Sequence, residues 1–108
     1  MKPTVIAHDL HPGYLSTQWA LGQTDVSTVA IQHHHAHAAS CMAENHLSAP
    51  VIAIVLDGTG YGSDGAAWGG EVMIADFRGF QRVAHLEYTA MTGGAQAIRE
   101  PWRMAVAY

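Results

Sequence analysis

The run Val51-Ile52-Ala53-Ile54-Val55-Leu56 constrains this chain more than any other stretch. It is apolar throughout, and its β-branched side chains favour extended backbone. Pro50 precedes it, and Asp57 to Gly65, with four glycines in nine residues, follows it as a loop. A run of this kind predicts a central strand buried on both faces. The rest of the chain must then supply a sheet around that strand and helices to cover it.

The flanking sequence offers those elements. Val5 to His8, ending at Asp9, reads as a buried strand, and His11-Pro12-Gly13 as a turn. Tyr14 to Leu21 has apolar residues at Tyr14, Leu15, Trp19 and Ala20, with Leu15 and Trp19 four apart, and reads as a short amphipathic helix closed by Gly22. Val26 to Ile31 predicts a second strand, and the alanine-rich His33 to Leu47 a helix. Ala66 to Asp76 and Phe80 to Tyr88 predict a hairpin around Arg78-Gly79. Gly93-Gly94 breaks the chain, and Ala95 to Tyr108 reads as helical with an interruption at Pro101. The order β-α-β-α-β-loop-β-β-α predicts an α/β or mixed fold in one small domain of 108 residues.

Only 13% of residues are charged against 49% hydrophobic, where roughly 25% charged is usual for a soluble domain. The surplus apolar surface is expected to meet something outside this chain or to form a homodimer interface. Five Lys plus Arg and a net charge of −4 leave no basic patch for nucleic acid. No apolar run approaches the ~20 residues that cross a bilayer, and the start lacks the apolar core of a signal peptide. The single Cys41 cannot form an internal disulfide, so the expected compartment is cytoplasmic.

Histidine is the compositional anomaly, eight residues with three adjacent in His33-His34-His35-Ala36-His37. On a helix, His33 and His37 stand four apart on one face and can grip one divalent cation; Cys41 is the next position on that face. A helix N-terminus lowers the pKa of a nearby imidazole, and the neutral form is the one that binds metal. His34 and His35 point elsewhere. His8, His11, His46 and His85 are more economically read as structural.

The glycine loop is the second chemical signal. A carboxylate at a strand's C-terminal end, here Asp57, can hold a cation. Gly58, Thr59 and Gly60 let backbone N–H groups approach phosphate oxygens. No Gly-Lys-Ser/Thr follows, so this is not a Walker loop. Asp57 lies 20 residues after His37, and one helix–strand unit can bring them together.

Five stretches taken together resemble the HypF carbamoyltransferases of nickel–iron hydrogenase maturation. They are Asp9-Leu10-His11-Pro12 with Tyr14-Leu15-Ser16-Thr17; Val29 through His37; Leu56 through Gly62; Trp68-Gly69-Gly70-Glu71; and Ile98 through Ala105. The resemblance implies part of a TsaD-like domain across residues 1–108, with the ribonuclease-H-like architecture of the actin, sugar-kinase and chaperone ATPase superfamily. It implies a mixed sheet with flanking helices. It also implies transfer of a carbamoyl group from carbamoyl-adenylate, made elsewhere in the enzyme from carbamoyl phosphate and ATP, to the C-terminal cysteine of HypE. The family's ligands for iron or zinc fall on His33, His37 and Asp57, with a further Asp beyond Tyr108, and its phosphate-facing loop falls on Asp57 to Gly60. Two other readings of the same residues are a stand-alone metal-binding or interaction module and a small metallohydrolase using His33, His37 and Asp57.

Overall fold

A computed structural model describes residues 2–108. Its order is β1 (Val5–Asp9), α1 (Leu15–Leu21), β2 (Ser27–Ile31), α2 (His33–Glu44), β3 (Val51–Val55), β4 (Gly60–Tyr61), β5 (Ala67–Trp68), β6 (Glu71–Ala75), β7 (Phe80–His85), α3 (Gln96–Arg99) and α4 (Trp102–Ala107). The fold is mixed α/β, with parallel and antiparallel pairings in separate sheets. β1 and β2 run parallel from Val5 opposite Ser27 to Asp9 opposite Ile31. β3, β6 and β7 form an antiparallel sheet with β6 in the middle. β4 and β5 make a small hairpin.

α1 connects the parallel pair and lies against β1 with its small residues. Thr17 and Ala20 are buried, and the Thr17 hydroxyl donates to the Asp9 carbonyl at 3.0 Å. The larger apolar residues of α1 point outward, with Leu15 81% and Trp19 63% exposed. Small side chains let the helix approach the strand closely, and bulkier ones would hold it away. β1 is likewise not buried as expected. A two-stranded sheet covered on one side leaves Val5 half exposed.

α2 joins the two regions. Gln32 caps it by accepting the His35 amide, and His34, Ala38 and Met42, four apart, form its buried face. The helix ends at Glu44 and not at Leu47. His46 takes a left-handed backbone (φ 55°), and the Leu47 and His46 amides fold back onto the Met42 and Ala43 carbonyls. Ala38 packs on Met73 and Ala75, with Ala53, Val55 and Phe80 around them.

The largest departure concerns β3. It is an edge strand, not a central one, and Ile52 and Ile54 are 74% and 68% exposed. Alternation turns Val51, Ala53 and Val55 toward α2 and leaves the other face bare. An unbroken apolar run reports a strand meant to be covered on both sides, but the second cover is not supplied by these residues. The expected strand Ala66 to Asp76 is split at Gly69-Gly70. A Cβ on Gly69 would lie 3.1 Å from the Gly58 carbonyl oxygen, and one on Gly70 would strike Leu86. The β6–β7 turn is closed by Asp76, whose Oδ1 accepts the Arg78 and Gly79 amides. α3 and α4 flank Pro101 as expected, and no side chain of α4 is buried. No helix among the described residues is long and apolar enough to cross a membrane.

Candidate metal and phosphate site

Two strands end in a carboxylate beside the N-terminus of α2. Asp9 closes β1, and Asp57 stands two residues past β3. His33 lies between them. Its Nδ1 is 2.6 Å from Asp9 Oδ2, and its Nε2 is 2.8 Å from Asp57 Oδ2. His37, one turn on, places Nε2 3.4 Å from the same Asp57 oxygen. The predicted i, i+4 pair therefore does converge on the predicted strand-end carboxylate, and the ligand atoms of His33, His37 and Asp57 all lie within 4.8 Å of one another. Cys41, exposed on the next turn, is not in this cluster.

The residues fit a divalent cation. Two imidazole nitrogens and one carboxylate oxygen form a donor set suited to iron or zinc. Asp9 strengthens the fit. By engaging Nδ1 of His33 it fixes the ring and leaves Nε2 facing Asp57, as an outer carboxylate does behind a metal-bound histidine. Asp9 is itself held by the His11 amide at 2.7 Å.

The electrostatics correct one expectation. The hydrogen bond to Asp9 raises the His33 pKa above the ordinary 6.5, outweighing burial, where a lowered value was expected. Burial alone would raise Asp9, but hydrogen bonds from the His33 ring and the His11 amide hold its pKa below the usual 3.8.

The glycine loop lies directly over α2. Gly58 is exposed, and the place its side chain would take is open. Thr59 is half-buried and Gly60 buried. A Cβ on Gly60 would run into the His34 ring, with His33 just beyond. Gly58 and Thr59 thus offer the accessible part of the loop, and Gly60 seats it. Sequence reasoning placed no role on Asp9, Gln32 or His34. For Asp9 a signal existed, since it ends a strand just as Asp57 does.

Farther along the loop, Asp64 gathers a second polar group. Its Oδ1 accepts from the Trp68 indole at 2.9 Å, and its Oδ2 from the Tyr88 hydroxyl at 2.6 Å. The hydrogen bond from Tyr88 is the main cause of an Asp64 pKa lowered to about 2. Arg82 lies 4.1 Å over the Trp68 ring and pairs with buried Glu71.

Comparison with known proteins places this geometry in context. Residues 1–44 match the family model described as the HypF Kae1-like domain. Residues 53–108 match the model described as carbamoyltransferase, Kae1-like domain, second subdomain. The candidate ligands straddle that division, the two histidines on one side and Asp57 on the other. The chain is 47% identical over 110 residues to carbamoyltransferase HypF2 of Cupriavidus necator, covering 99% of the chain and 14% of that relative. It is 50% identical over 105 residues to a carbamoyltransferase HypF homolog from the same organism, covering 94% of the chain and 27% of the relative. A crystal structure of full-length HypF in the phosphate- and nucleotide-bound form matches with a TM-score of 0.89 at 50% identity, over 98% of this chain and 17% of that one. The chain thus spans between 14 and 27% of the length of these two curated relatives.

Proposed function

Since the chain belongs to the HypF carbamoyltransferase family, we propose that it carries the metal- and phosphate-holding part of a carbamoyl transfer site. The transfer moves a carbamoyl group from carbamoyl-adenylate to the C-terminal cysteine of HypE, in the cytoplasm, toward the cyanide ligands of a hydrogenase. One observation carries the reading: His33 Nε2 and His37 Nε2 meet on one Asp57 oxygen, beside a glycine loop whose outer part is open.

A divalent iron or zinc ion held by His33, His37 and Asp57 would supply Lewis-acid polarisation and neutralise phosphate charge. The chain's own residues do the rest of the holding. Asp9 keeps His33 in the tautomer and orientation that present Nε2. Gly58 and Thr59 offer backbone amides to phosphate oxygens of ATP or of the adenylate. In the transfer, the acceptor sulfur bonds to the carbamoyl carbon, the bond from that carbon to the adenylate oxygen breaks, AMP leaves, and the thiol proton passes to solvent. On this reading the acceptor is the HypE cysteine and not Cys41, which lies within α2.

On this reading residues 1–108 are one part of a larger domain that adds a further carboxylate ligand, and alone they do not turn over. The exposed outer face of β3 fits the same view. The test is carbamoyl transfer to the partner cysteine, measured with this chain alone and with the complete polypeptide. Transfer only by the complete polypeptide, lost on His33→Ala, supports the proposal. Efficient transfer by the chain alone, or full activity in His33→Ala, defeats it. Because the three ligands all lie within this chain, a metal-binding module without catalysis is the second reading. Metal uptake that His33→Ala abolishes, with transfer by the complete polypeptide undiminished, would favour it.

A further inference from the structure

Gln32 and His34 are almost wholly buried, 7% and 0% exposed, and neither belongs to the ligand cluster. Their hydrogen bonds follow from one another. Gln32 Oε1 accepts the His35 amide at 2.8 Å, which turns the Gln32 amide nitrogen the other way. That nitrogen lies 3.2 Å from the Tyr61 carbonyl and 3.3 Å from His34 Nδ1. An amide NH₂ can only donate, so His34 Nδ1 must be unprotonated. A neutral imidazole then carries its proton on Nε2, which stands 3.3 Å from the Asp57 carbonyl, an acceptor. The donors run in one direction, from Gln32 through His34 to Asp57.

We propose that Gln32 and His34 form a clamp that grips the loop Asp57 to Tyr61 at both ends, and that the Nε2–H tautomer of His34 is what makes it hold. Both are positioning residues. Their role rests on the reading that Asp57 to Gly60 hold metal and phosphate. The two anchor points, the Asp57 and Tyr61 carbonyls, are tied to the same helix end that presents His33 and His37. Between them Gly60 rests on the His34 ring, where any Cβ would collide. The cation ligands and the phosphate-facing backbone are thereby kept in mutual register before either ligand arrives.

The test reads the tautomer directly. Long-range proton–nitrogen correlation spectra of the ¹⁵N-labelled chain, without metal or nucleotide and at mildly alkaline pH, should show His34 protonated at Nε2. An Nδ1–H tautomer in the unaltered chain overturns the clamp. Gln32→Glu supplies the second arm. A carboxylate still accepts the His35 amide at a helix N-terminus but has no hydrogen for Tyr61 or His34. The proton should move to Nδ1, and amide exchange in residues 58–62 should quicken about tenfold or more, the scale of losing two neutral hydrogen bonds. Amides of β6 should exchange at unchanged rates. An unmoved tautomer with unchanged loop exchange refutes the clamp, as does equal acceleration along the whole chain. If the variant does not fold, the tautomer of the unaltered chain decides. Absence of metal uptake by the unaltered chain would count against the proposed function, whereas a wrong tautomer counts against the clamp.

Discussion

The two ends of α2 sit in opposite surroundings. At the N-terminal end, Gln32 through His35 all find hydrogen-bond partners within the chain, drawn from β1, the glycine loop and the β6–β7 turn. Toward the C-terminal end, Cys41, Met42 and Leu47 line an open groove of about 670 Å³ against β3. The polar end closes its hydrogen bonds with the residues at hand, and the apolar end stays uncovered. The total surface agrees: 7458 Å² is exposed, where a compact monomer of this mass shows about 5,800 Å². The lesson is that a site can be assembled before its surroundings are covered, because hydrogen bonds close locally whereas an apolar face needs a partner of matching extent.

The largest expected effect breaks the polar end. His33→Ala combined with His37→Ala should abolish cobalt or zinc uptake, a loss exceeding the roughly 100-fold that follows from removing one outer partner of a metal ligand. Titration with cobalt followed by its visible absorption measures this, and unchanged uptake would remove the metal site from consideration. The glycine pair sharpens the same contrast. Gly60→Ala pushes a methyl into His34 and should cost about 1–3 kcal/mol in denaturant melts, as overpacking does. Gly58→Val enters open space and should leave stability within about 0.5 kcal/mol while blocking ATP binding in the complete polypeptide. Equal stability losses at both positions would show that the loop does not rest on the ring.

These two glycines also show what was legible in the sequence. Their spacing pointed to a turn that admits close approach by phosphate, but not to the His34 ring that fills the space beside Gly60. The His33–His37 pair was readable because helical periodicity is local, and Asp57 because it ends a strand. Asp9 carried the same strand-end signal and could have been read alongside Asp57, whereas Gln32 could not, since its partner Tyr61 lies 29 residues away. Strand propensity announced β3 correctly, yet its place at the sheet edge depends on which strands exist to flank it.

The bare outer face of β3 can be tested by making it polar. Ile52→Thr with Ile54→Thr retains β propensity and should change stability by no more than about 0.5 kcal/mol. If the bare face of β3 draws copies together, light scattering across a concentration series should show association in the parent chain and less of it in the variant. Identical behaviour would mean that this face is not the adhesive one. The smallest effect concerns acid. The Asp64 pKa is depressed to about 2 from 3.8, so its contribution is fully present above 3.8 and is lost as pH falls toward 2. Asp64→Asn should flatten that part of the stability curve, measured by denaturant midpoint against pH. An unaltered slope would show that Asp64 contributes nothing there, and exposure keeps the expected contribution small.

The position of Trp68 gives the chain an optical handle. It is 2% exposed, whereas Trp19 and Trp102 are 63% and 59% exposed. An indole shielded from water emits at shorter wavelength than one bathed in it. Replacing Trp19 and Trp102 with phenylalanine would leave a single tryptophan wedged between the Arg82 cation and the Asp64 carboxylate, with His34 nearby. Its colour and lifetime would then respond to any shift of the loop, turning a packing detail into a real-time signal of what that loop holds.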